Sequence, residues 1–154
     1  MIVSSIAALV IVLLAFATAL AARRRARARA RTVPTLKGQL HLPDRPTPLS
    51  DRARQRYANE LAALADRFNV SPVETLREME RLVGRILRDR GYPYLDPNAR
   101  PEAVEGHFPT VAEEYRAARN VMQRFESGNT VPADAMRETL GNYRTVTGGL
   151  LDSA

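Results

Sequence analysis

From Ile2 to Ala22 the chain carries no charged residue, and Ser4, Ser5 and Thr18 are the polar interruptions. Twenty-one residues at a helical rise of 1.5 Å reach roughly 32 Å, enough to cross a hydrocarbon core about 30 Å thick. The pattern predicts a single N-terminal transmembrane helix over residues 1–22. Next come Arg23, Arg24, Arg25, Arg27, Arg29 and Arg31, with no acid among them. Thr32 to Ser50 has no apolar period and holds Pro34, Pro43, Pro46 and Pro48. Residues 23–50 thus read as an Arg-rich collar and a Pro-rich linker, and at about 3 Å per residue the nineteen residues from Thr32 could hold a domain roughly 50 Å from the bilayer. Leu36, Leu40, Leu42 and Leu49 are the linker residues expected to pack on the domain.

From Asp51 the period changes to that of amphipathic helices. Tyr57, Leu61, Leu64 and Phe68 fall on one stripe, Ser50 is placed to cap, and Arg56 and Glu60 are placed to pair on the outer face. Ser71-Pro72-Val73-Glu74 has the form of a capping box with proline at the first helical position. The helix it opens has a broad apolar face of Val73, Leu76, Met79, Leu82, Val83, Ile86 and Leu87. Arg85, Arg88 and Arg90 load its end, and Gly91 is the left-handed stop. Residues 91–109 read as one long irregular connection. Thr110 to Glu113 suggests a second capping box before a third stripe of Val111, Tyr115, Ala118, Met122 and Phe125, broken at Ser127-Gly128-Asn129. A fourth helix follows Pro132 with Met136, Leu140, Tyr143, Val146 and Leu150, and Gly148-Gly149 is expected to fray or end it. No segment alternates apolar and polar residues over a strand's length. The fold class expected is all-α: a four-helix antiparallel bundle-like domain over 51–154, with one long loop.

Charge distribution changes how the basic composition is read. The formal net charge is +6, yet Gly38 onward holds 16 arginines against 17 acids. The excess lies in the collar and Lys37. A nucleic-acid binder would spread basic residues over a folded face and interleave aromatics, so nucleic acid is not the expected partner. The collar is better placed against anionic lipid head groups, with Arg23, Arg24, Arg25, Arg27, Arg29 and Arg31 as the contacts. Positive charge flanking a span is retained in the cytoplasm, which predicts N-terminus out and the C-terminal domain cytoplasmic. The competing reading is a cleaved signal, for which Ala17-Thr18-Ala19 and Ala19-Leu20-Ala21 supply small-residue sites. Against it stand the missing positive charge before the run and the run's length. The chain has no cysteine, which excludes disulfides and thiolate chemistry.

Candidate chemistry is thin. His107 in the long loop could serve as a base or ligand, but a histidine bonding the next helix or stacking on a tyrosine is the simpler expectation. Tyr92, Tyr94, His107 and Phe108 together form a candidate interaction loop. Glu74, Glu78, Glu80, Glu113 and Glu114 evoke a carboxylate metal bundle, but the predicted soluble helices carry no histidine, and these glutamates read as capping or surface residues. Tyr115 and Tyr143 fall on apolar stripes and are expected in the core, each hydroxyl tied to a partner. No cofactor is expected.

Arg56-Tyr57, Arg67-Phe68, Arg90-Gly91-Tyr92-Pro93, His107, Tyr115-Arg116-Ala117-Ala118 and Tyr143-Arg144 occur in an order that resembles a family of small, uncharacterised bacterial proteins. Its members are membrane-anchored or secreted helical proteins, mostly of high-GC Gram-positive organisms. The resemblance spans Asp51 to Leu151 and implies no activity. Where members commonly place aspartate before the histidine and proline after it, this chain has Gly106 and Phe108. The function expected is a membrane-tethered helical protein-interaction module, not an enzyme, meeting the lipid bilayer and either a protein partner or a second copy. The alternatives are an extracytoplasmic domain and an enzyme using the His107 loop.

Overall fold

The structure, a computed structural model, describes residues 42–93 and 95–153. The anchor, the collar, most of the linker and Tyr94 lie outside the described residues. Among the described residues there are five helices and no strand: α1 (Asp51–Arg67), α2 (Pro72–Asp89), α3 (Arg100–Val104), α4 (Pro109–Glu126) and α5 (Ala133–Asp152). No described helix is long and apolar enough to cross a membrane.

The four long helices follow the apolar stripes, and the differences lie at their ends. Ser50 caps α1 as expected, its hydroxyl accepting from the Ala53 amide at 3.2 Å. Ser71 precedes α2 without a side-chain cap, and its carbonyl accepts from the Thr75 amide at 2.9 Å. Glu74 is turned toward Arg77 and Arg81, at 3.4 and 3.6 Å, so the capping box does not form there. Pro72, with its fixed φ and absent donor, occupies the first helical position as expected, with Ser71 at the cap. At α4 the expected start itself shifts. It begins at Pro109 rather than Thr110, with Phe108 at the cap, so Thr110 lies inside the first turn.

Two helices end in the six-to-one and five-to-two hydrogen-bond pair that needs a left-handed residue. After α2, Gly91 (φ 89°) donates to the Arg88 carbonyl and Tyr92 to that of Leu87. After α4, Gly128 (φ 79°) donates to Phe125 and Asn129 to Arg124. The long connection is less irregular than its prolines and glycines suggest, because α3 forms in its middle with Pro101 in the first turn. Helix α5 runs through Gly148-Gly149 to Asp152, against the expectation of fraying. A β-carbon placed on Gly149 would sit 2.5 Å from Val111 Cγ2. The glycine is there because α4 and α5 approach too closely for a side chain.

Short turns make α1 and α2, and α4 and α5, antiparallel neighbours. Helix α5 lies against α4, α2 and α1 at once. Its Tyr143, Val146 and Leu150 are fully buried, facing Met79, Leu82, Val83 and Ile86 of α2 in one core. Arg56 and Glu60, expected to pair with each other, reach across to α2 instead: Arg56 to Asp89 at 3.5 Å and Glu60 to Arg85. Exposed pairs of either kind contribute only about 0.2–1 kcal/mol, so the neighbour's position decides the choice.

The end of the linker belongs to the fold. The compact helical unit runs Leu40–Ala154. Leu49 is buried and Leu42 packs against the core, as expected of them. The Thr47 amide donates to the Arg90 carbonyl at 2.9 Å.

Candidate functional site

The bundle has two polar centres. One is buried and was misread from the sequence. Glu80, expected at the surface, is 7% exposed. Its Oε1 accepts from the Tyr115 hydroxyl at 2.6 Å and from Arg100 Nη1 at 2.6 Å, and its Oε2 accepts from the Tyr143 hydroxyl at 2.8 Å. Arg119 Nη1 lies 3.8 Å from Oε2. One carboxylate therefore joins α2, α3, α4 and α5. The two arginines are themselves held from behind. Arg100 Nε donates to the Leu95 carbonyl at 3.1 Å, and Arg119 donates to Asn98 Oδ1 at 2.7 Å and pairs with Glu126 at 3.2 Å.

Backbone shape makes room for this centre. A β-carbon on Gly84, one turn beyond Glu80, would stand 2.9 Å from both terminal nitrogens of Arg100. The guanidinium lies over the bare helix there. The two tyrosine rings meet edge to face at 6.4 Å. Burial, and then the neighbouring Glu80 carboxylate, pushes the Tyr115 and Tyr143 hydroxyls well above the ordinary tyrosine range, so both remain neutral donors. A buried carboxylate whose two oxygens are both engaged by the chain's own donors is arranged as a structural hub. A general base needs a lone pair within reach of a substrate proton.

The second centre surrounds His107, which is exposed. Its Nε2 lies 3.1 Å from the Asp44 carbonyl, which can only accept, so Nε2 carries the proton. In the neutral ring its Nδ1, 2.7 Å from the Tyr92 hydroxyl, then accepts from it. The rings of His107 and Tyr92 meet edge to face at 6.1 Å. The expected tyrosine contact is thus present, but the second bond goes to the linker rather than to the start of α4. Burial pushes the Tyr92 hydroxyl up to about 12. Of the candidate interaction loop, Tyr92 and Phe108 are buried in the core and only His107 is presented to solvent; Tyr94 lies outside the described residues.

Beneath this loop lies Arg90, expected to decorate the end of α2 and found fully buried. Its Nη1 donates to the carbonyls of Leu150 and Ser153 at 2.6 and 2.8 Å, and its guanidinium lies 5.1 Å from the Phe108 ring centre. It therefore closes the C-terminal turn of α5, where the helix dipole favours a cation. Burial lowers its affinity for its proton.

Sequence signals for these residues were uneven. Glu80 stands four residues after Leu76 and three before Val83, so the stripe that defined α2 also carried it inward. Arg119 occupies the same kind of position between Tyr115 and Met122. Nothing local marks Arg100 or Gly84, whose meaning appears only once α3 folds back across α2.

The described surface offers little enclosed space. An apolar pit of about 10 Å³ lies between Val73, Phe125 and Val131, and an open groove of about 280 Å³ runs between Arg54, Gln55 and Ala58 of α1 and Leu151 of α5. Among the described residues no group of three histidines, cysteines or carboxylates could hold a metal ion. Comparison with family models, with curated proteins and with solved structures finds no match for this chain.

Proposed function

We propose that the chain is a single-pass membrane protein, N-terminus out, that holds its helical domain at the cytoplasmic face as a protein-interaction module without catalytic activity. The observation that carries this reading is the charge-free run from Ile2 to Ala22 followed by six arginines within nine residues. The collar meets anionic head groups, and the partner is another protein or a second copy. The polar centres support a non-catalytic role. Glu80 is engaged by donors from three other helices, and His107 uses both ring nitrogens to hold Asp44 and Tyr92. Val70, 86% exposed in the α1–α2 turn, gives the domain an apolar contact point at the end away from the linker.

The test is a topology map. Phosphatase and fluorescent-protein reporters are fused after Arg31 and after Ala154. The expected outcome is fluorescence and no phosphatase activity from both positions. Active phosphatase at either position overturns the orientation. The small residues around Ala19 favour a second reading, an extracytoplasmic domain released by cleavage. A mature N-terminus at Leu20, Ala22 or Arg23 would establish that reading and remove the anchor.

A further inference from the structure

We infer that residues 42–49 form a releasable strap whose docking against Arg90, Gly91 and His107 sets how far the helical domain reaches from the anchor. The strap crosses the end of α2 as a separate layer. Thr47 donates its amide to the Arg90 carbonyl at 2.9 Å, and Asp44 offers its carbonyl to His107 Nε2 at 3.1 Å. Gly91 lies beneath it, close enough that a β-carbon there would stand 3.1 Å from Thr47 Oγ1 and 3.9 Å from Pro43 Cβ. Leu42 and Leu49 pin the two ends against the core.

Three properties make this contact reversible, although full release must draw the buried Leu49 out of the core. Pro43, Pro46 and Pro48 have no amide hydrogen, so leaving the surface exposes few donors. The same prolines restrict the free chain, so docking orders it at little entropic cost. The His107 bond is also at the surface, where water can replace it. Release leaves Ser50 and every helix cap in place.

The consequence for reach follows from chain length and rests on the anchored reading above. Whatever their conformation, the ten residues 32–41 span at most about 35 Å between Arg31 and the strap. Freeing the strap lengthens the tether to the eighteen residues 32–49, with a ceiling of about 60 Å. The domain thereby has a short and a long tether.

The test uses the full chain, whose lack of cysteine allows clean labelling. Spin labels at Arg45→Cys and Arg88→Cys read the strap directly. The parent should give one narrow distance distribution. Thr47→Pro, which deletes one donor outside every helix, combined with His107→Ala, should broaden it about twofold or more while helicity is unchanged. Should the double substitution cost helicity, Thr47→Pro alone carries the comparison. A broad distribution in the parent, or a narrow one in the helical variant, overturns the strap. Reach is read in phosphatidylglycerol-containing vesicles by energy transfer from a dye at Val70→Cys to labelled lipid. Transfer should fall in the released variant, and unchanged transfer overturns the inference about reach. Chain that stays in solution overturns the anchored reading and the reach with it, whereas the spin-label distances still judge the strap.

Discussion

At the residue scale, the decisive side chain is Glu80. Two guanidiniums and two phenols converge on it, so its removal leaves buried donors facing one another. Breaking a buried ion pair from one side costs about 3–5 kcal/mol, whereas a neutral isostere keeps the shape and part of the bonding. Glu80→Ala is therefore expected to lower the thermal midpoint by more than about 10 °C, and Glu80→Gln by clearly less. Equal midpoints for Glu80→Gln and the parent in a melting experiment would show that its charge is immaterial. Its spacing from Leu76 and Val83 turns it inward, whereas it was expected at the surface. Periodicity says that a position looks inward; it does not say that Arg100, twenty residues on, will return to neutralise it.

At the level of elements, the apolar stripes located all four long helices and both glycine stops, because those signals are local and repeat within a few residues. The box at Ser71 gave the right start without its side-chain bonds, and the box at Thr110 gave a start that is shifted. At Thr110 the preceding Pro109 was a stronger start than the threonine cap. Gly148 and Gly149 look alike in sequence and are unlike in place. Gly148 has open space where a β-carbon would go, while Gly149 meets Val111. Gly148→Ala should stabilise the domain by about 0.5–1 kcal/mol through helix propensity. Gly149→Ala should destabilise it by about 1–3 kcal/mol through overpacking, and Val111→Ala in the same chain should recover part of that loss. Denaturant titration of the four proteins checks this, and equal effects at the two glycines would refute the close approach.

For the whole molecule, the buried phenols govern the alkaline limit of stability. Tyr57, Tyr92, Tyr115 and Tyr143 all hold their protons more tightly in the fold than in the open chain, with burial the first cause. The native state then binds more protons than the unfolded state once pH passes the free tyrosine value near 10. Stability is intact below about pH 10 and falls as pH rises toward the Tyr92 value of about 12. Urea midpoints measured from pH 8 to 11.5 should be flat and then decline, with phenolate absorbance appearing together with loss of helicity. Tyr143→Phe and Tyr115→Phe together should shallow the decline. An unchanged midpoint across that range would place these hydroxyls in contact with water.

Helix α5 is the last of the five to leave the ribosome, yet α1, α2 and α4 all rest on it, and Glu80 waits for its Tyr143. During translation the earlier helices must therefore remain without their common wall, with the apolar seam of α2 uncovered until Ala133 to Asp152 arrives. A nonsense mutation anywhere before Tyr143 would produce a polypeptide that quality-control proteases can recognise, however much of the rest had been made correctly.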